Sequence, residues 1–320
     1  MMRLLVLSLS ILFLLSCIPQ AFCQEPADEW EGTRNADKAV VSSEWNPPVW
    51  IEEINTPGWE DGPYISGDGN TLYFAYININ LLKLPKIVPI GPNRDKTKVC
   101  NPSCGQFPRP DLFYSSKDSQ GRWQDPKPHP LTVPYPVGGV IMVGENKAYF
   151  MQEKQDGLHT EICYAENISG EWQPPVRIPA LSSKYKDDDP YVTLADDEMF
   201  FWSNRPAKLK GDNIYYAKKV NGEWQQPVIL PEPINSHFNE LQPFLFGNTL
   251  YFTSDRDGKL KIYRSVLTND SWSLPEVVVS SKNGVGEATL TNDGKRLYFI
   301  QLLISDTGEV NPEIMYTERI

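Results

Sequence analysis

The chain has 320 residues, a formal net charge of −11, 28 prolines, 21 glycines and 12% aromatic residues. So acidic a surface argues against nucleic acid as a partner, because phosphate contacts need a basic face; its first effect is on solubility. The proline, glycine and aromatic content favours many short strands over long helices.

Arg3 precedes an apolar run from Leu4 to Leu15, which Pro19 breaks, and small residues at Ala21 and Cys23 stand before Gln24. This is the pattern of an export signal over residues 1–23, too short to span a membrane comfortably. A second reading puts a lipid anchor on Cys17, which follows Leu14-Leu15-Ser16. Both place the mature chain outside the cytoplasm, periplasmic or extracellular. Residues 24–42 read as a linker and 43–320 as a single domain.

That domain is built on a repeat. Residues 61–74, DGPYISGDGNTLYF, have counterparts at 188–201, 241–252 and 286–299, with a degenerate copy at 137–150. Each is an apolar strand, a tight turn and a second strand ending in aromatics; Asp68-Gly69, Gly247-Asn248 and Asp293-Gly294 suit the left-handed backbone of such turns. A third strand follows at 111–115, 161–165, 213–217, 261–265 and 313–317, and alternation puts Leu112, Ile162, Ile214, Ile262 and Ile314 on a buried face. A fourth opens with tryptophan and a proline three residues on, at Trp123, Trp172, Trp224 and Trp272. Proline marks it as the outer edge. The last repeat lacks this element, and Trp45–Ile51 at the other end of the chain supplies it. The prediction is an all-β, five-bladed β-propeller of four-stranded antiparallel blades, closed by an N-terminal strand that completes the last blade. The regular tryptophans read as packing between blades rather than sugar-stacking platforms.

These repeats resemble the TolB-like, WD40-like propeller repeat family. The resemblance rests on the acid before the x-x-Pro of each innermost strand, the Asp-Gly hairpin, the Leu-Tyr-Phe strand, and Ser254-Asp255-Arg256 after it (Ser203-Asn204-Arg205 in another copy). It covers the chain from about Trp45 onward and implies a non-catalytic exported propeller. Unlike TolB itself, this chain shows five repeats and leaves no room in 24–42 for a separate N-terminal domain.

Chemistry is expected where the innermost strands begin. Glu60, Asp187 and Glu240 share one repeat column, and Asp61, Asp188, Asp189 and Glu287 lie beside it. Such a funnel suits a cation (calcium being the candidate), a sugar or a basic partner, and the same acids also suit capping of loop N–H groups. On that side lies an insertion, 77–110, with Arg94, Arg109 and a Cys100/Cys104 pair expected to bridge as a loop disulfide. Arg205 and Arg256 come from equivalent loops, so an acidic centre with a basic rim is expected. Cys163 reads as a small buried hydrophobe. The leading reading is a non-enzymatic propeller that binds a protein or polar ligand through this face. The alternative is a glycan-active enzyme with Glu60 or Asp61 paired with Asp188 or Glu240 as its two carboxyls. Residues 116–123 look like a sialidase Asp-box, but the glycine is displaced and the other repeats lack it; no G-x-S-x-G element supports serine hydrolysis.

Overall fold

The structure is a computed structural model that describes residues 28–55, 58–77, 111–131, 137–154, 159–306, 308 and 310–320. The sequences taken above as export signal, lipidation site and most of the insertion, with Cys17, Arg94, Cys100, Cys104 and Arg109, lie outside the described residues.

Five antiparallel blades are present. Their innermost strands are Trp59–Ile65, Val137–Val143, Asp187–Val192, Glu240–Phe246 and Val285–Leu290. The second strands are Thr71–Ile77, Lys147–Glu153, Glu198–Ser203, Thr249–Ser254 and Arg296–Ile304, and the third are Asp111–Ser116, Thr160–Ile168, Asn213–Val220, Lys261–Thr268 and Val310–Glu318. The ends where innermost strands begin and second strands finish form the upper face; the hairpin turns between them form the lower face.

The ring closes through repeated packing. Phe74, Phe150, Phe201, Phe252 and Phe299, one per second strand, are fully buried. The third-strand aliphatic of one blade shares a core with the phenylalanine of the next: Ile162 with Phe201, Ile214 with Phe252, and, across the closure, Ile314 of blade 5 with Phe74 of blade 1. Burial of one such ring stabilises by about 1.5–3 kcal/mol. The tryptophans pack between blades as expected: Trp224 meets Tyr149 of the preceding blade edge-on, and Trp123 meets Tyr298 in the same way.

Val49–Trp50 pairs with Tyr316 and Met315 as the outer strand of blade 5, so the N-terminal segment does complete the last blade. More of that segment is ordered than a linker would be. Helix Asp28–Ala36 and strand Val40–Val41 fall within 24–42, and the strand adds to the outside of blade 4 opposite Ser280 and Val279. Arg34 stacks 3.9 Å from the centre of the Trp50 ring and pairs with Glu313, while the Asp37 carboxylate accepts from the backbone N–H groups of Lys282 and Asn283. The chain therefore fastens blades 4 and 5 together before entering blade 1. The outer strands also differ from the expected run. In blade 2, Glu171–Trp172 extends the hairpin with the third strand, the prolines interrupt pairing, and Val176–Arg177 resumes it. Proline lacks the N–H that continuous pairing needs.

Candidate functional site

The expected acids separate into two groups, because successive residues of a strand face opposite ways. Asp187 and Glu240 begin the innermost strands of blades 3 and 4 and are wholly buried. Asp187 stands opposite Ser203 and Glu240 opposite Ser254, each serine followed two residues later by an arginine. Arg256 reaches Glu240 at 3.0 Å, and the Ser254 and Ser236 hydroxyls donate to the same carboxylate. Arg205 makes the equivalent ion pair with Asp187, with the Ser203 hydroxyl donating at 2.7 Å. Each arginine also donates to backbone carbonyls, of Leu181 for Arg205 and of Pro233 and Ile234 for Arg256. Thus the Ser-x-Arg of the repeat is an internal brace: Arg205 and Arg256 turn inward and do not form a basic rim. Glu60 holds the same register position in blade 1, opposite Tyr76, and is equally buried.

The second group surrounds the central channel. Every innermost strand carries a β-bulge, after its first three residues in blade 1 and its first two in the others. At each bulge one residue has left-handed backbone: Gly62, Gly139, Asp189, Gln242 and Glu287. The bulges approach closely enough that a Cβ at Gly139 would lie 2.7 Å from Asp189 Oδ1 and 2.8 Å from its Cα. Three blades nevertheless keep a side chain in a conformation that costs non-glycine residues about 1–3 kcal/mol, and such outliers gather at functional sites.

Asp61, Asp188, Asp189 and Glu287 meet here. Glu287 accepts from the Gly62 N–H at 2.6 Å and from the Gln242 amide at 2.7 Å, while Asp189 accepts from the Trp202 indole at 2.7 Å. Asp61 and Glu287 hydrogen-bond to each other, which requires a proton between them. Burial, reinforced by neighbouring carboxylates, holds Asp189 and Glu287 well above the usual carboxylate range, and burial raises Asp61. Asp188 is pushed up to about 6, again chiefly by burial. The Lys186 charge acts on Asp188 in the opposite sense.

Gly62, Gly139, Asp189, Gln242, Phe244 and Glu287 line the narrow part of the funnel. Its cavity is about 40 Å³, within some 370 Å³ of space that includes open solvent. The narrow part has room for about three waters, an order of magnitude below the 300–1,000 Å³ of small-molecule pockets. Among the described residues no three His, Cys, Asp or Glu side chains are grouped to hold a metal ion together.

The remaining candidates are accounted for by packing. Cys163 is buried and free, and burial pushes its thiol up to about 12. In the Asp-box-like stretch, Asp118 accepts from the N–H groups of Gln120 and Arg122 and so fastens a hairpin turn. The insertion leaves blade 1 after Ile77, which pairs with Trp59 on the upper face, beside the funnel.

No protein-family model matches the chain, and no curated protein matches it. Solved structures do. A family 117 glycoside hydrolase from Zobellia galactanivorans is similar with a TM-score of 0.51 at 15% identity, over 88% of this chain and 89% of that one. A putative TolB from Agrobacterium tumefaciens is similar with a TM-score of 0.46 at 14% identity, over 82% and 84%. TolB from Acinetobacter baumannii gives 0.40 and 16%, covering 77% of this chain but only 53% of that one. The likeness is one of fold. The chain is a five-bladed β-propeller, and the solved structures similar to it include a glycoside hydrolase as well as proteins named TolB. Among the described residues no helix is long and apolar enough to cross a membrane.

Proposed function

We propose that this propeller is an exported binding protein that receives the basic group of a polar ligand or partner protein in its acidic channel. The observation that carries the reading is that Asp189 and Glu287 line one narrow funnel with Asp61 and Asp188 beside them, the four carboxyls raised by burial and, in Asp188, Asp189 and Glu287, by one another. An ammonium or guanidinium head would replace that repulsion with charge-assisted hydrogen bonds. Paired carboxyls suit such a head, which needs donors satisfied rather than a closed shell of metal ligands; calcium needs six to eight oxygens. The insertion at 77–110 is proposed to dock the rest of the partner, since it leaves and rejoins blade 1 on this face. Export rests on the N-terminal sequence.

The test is capture of partners from an envelope extract by wild type, by D189N/E287Q and by a chain lacking residues 80–108. Binding through the funnel predicts a partner that wild type retains and the double variant loses. Equal recovery by all three would overturn the reading.

A glycan-active reading draws on one specific observation, the Asp188 carboxyl raised to about 6, the range a general acid needs. The size of the funnel waist speaks against a sugar ring lying beside it. Hydrolysis of microbial or plant polysaccharides by wild type, abolished in D188N, would favour the enzyme; no turnover would leave binding as the account.

A further inference from the structure

We propose that the lower face binds a small polar ligand bearing one oxyanion group, a carboxylate or a sulfate, at Arg319. Every other described arginine is held by a carboxylate, from Arg34 on Glu313 to Arg296 on Glu318. Arg319 makes no ion pair among the described residues, yet its position is set. Its backbone N–H donates to the Lys295 carbonyl at 2.8 Å, it bridges to Trp45, and its guanidinium lies 4.8 Å from the centre of the Trp45 ring. Trp45 is itself buried, so the platform is rigid. A planar, always-charged fork fixed on an aromatic face is prepared for bidentate recognition of an oxyanion.

Arg319 lines two adjoining grooves. One, of about 490 Å³, lies between the hairpin turns of blades 1 and 5, with Asp68, Asn292 and Lys295 in its walls. The other, of about 420 Å³, lies beside the turn of blade 4, with Asn248, Arg264 and Ser273. Both fall in the size range of small-molecule sites. The acids along them are already engaged. Glu318 is paired with Arg296 and Glu276 with Arg264, while Asp293 accepts from the Thr291 hydroxyl and the Lys295 N–H. Asp68 accepts from the Ser66 hydroxyl and the Asn70 N–H. What remains for an incoming group is the Arg319 fork, with Lys295 beside it where the neighbouring strand begins, among the neutral donors and acceptors of Asn248, Asn292 and Ser273 that suit a polar body; Asp68 and Asp293 keep their charge in the wall.

The full chain would be titrated with D-glucuronate, D-glucose 6-sulfate and D-glucose, read by ligand-observed NMR. Both anions, or the one that fits, should bind at least tenfold more tightly than glucose, and the tighter anion names the group. R319Q should weaken anion binding tenfold or more, the loss expected for a hydrogen bond to a charged group, with glucose unaffected. R319K should fall between. Because loss of the Trp45 contact could lower stability, K295Q, beside Arg319 where the neighbouring strand begins, provides a second variant, expected to weaken the same anions severalfold at unchanged melting temperature. E287Q, in the central channel, should leave anion affinity unchanged, which separates this site from the channel. Anions that bind no better than glucose, or that bind R319Q and K295Q as well as wild type, would overturn the proposal.

Discussion

Replacing Arg256 with methionine keeps an apolar stem against Phe252 and Tyr263, whose rings lie 5.1 and 5.2 Å from the guanidinium carbon, and removes only the charge and its donors. Glu240 would then keep its two serine hydroxyls and the Ser236 N–H but lose its cation, while the Pro233 and Ile234 carbonyls lose a donor. The Glu240 side chain is 0% exposed and that of Arg256 15%, so solvent screens the pair little. Breaking a buried pair from one side costs about 3–5 kcal/mol. At roughly 2–4 °C per kcal/mol for domains somewhat smaller than this one, the melting temperature should fall by about 6–20 °C. Urea unfolding with E240Q, R256M and the double variant closes the cycle. The double variant should recover at least half of the loss, because no buried charge is left alone. A loss below about 1 kcal/mol in R256M would refute the assignment of these residues to the frame of the ring.

The channel acids should respond with the opposite sign. E287Q removes a carboxyl that burial and neighbouring carboxylates resist ionising and should stabilise at pH 8 by about 0.5–2 kcal/mol, as expected where a functional site is held against stability; thermal unfolding decides this. With their folded-state pKa values raised, Asp61, Asp188, Asp189 and Glu287 hold more protons in the native chain than in the unfolded one, so the stability they contribute is fully present below about pH 4 and is lost as pH rises through and beyond 6. Melting curves across pH 4–9 should show that slope in wild type and a shallower one in D189N/E287Q. Gly139→Ala should destabilise strongly, since it forces a side chain into left-handed backbone and into Asp189. Ile314→Ala, at the seam between blades 5 and 1, should cost about 2–5 kcal/mol in urea unfolding, as a core truncation does.

The architecture was legible because the repeat writes itself in side chains. The buried phenylalanine of each second strand and the aliphatic residue of each third strand recur with the period of the blade, and Trp45–Ile51 visibly supplies the missing outer strand. The site was legible only in part. Glu60, Asp187 and Glu240 form a column of acids in the sequence, but what holds Asp187 and Glu240 is an internal brace to Ser-x-Arg, while Glu60 keeps the same place opposite Tyr76. The residues around the channel, Gly62, Gly139, Asp189, Gln242 and Glu287, share no side-chain chemistry; they share a backbone conformation, which composition does not display. One signal was present: each stands directly before the proline, or the residue replacing it, near the start of the innermost strand. The clasp formed by residues 28–41 escaped detection because its helix is short and its strand has only two residues, so its order comes from Arg34–Glu313 and Asp37 rather than from local pattern.

The most direct test of the central claim is the melting temperature at pH 8 with increasing butylammonium or butylguanidinium, against butanol as the neutral control. A funnel that receives a basic head predicts a rise with the cations alone, abolished in D189N/E287Q and retained in R319Q. No rise, or an equal rise in D189N/E287Q, would contradict it.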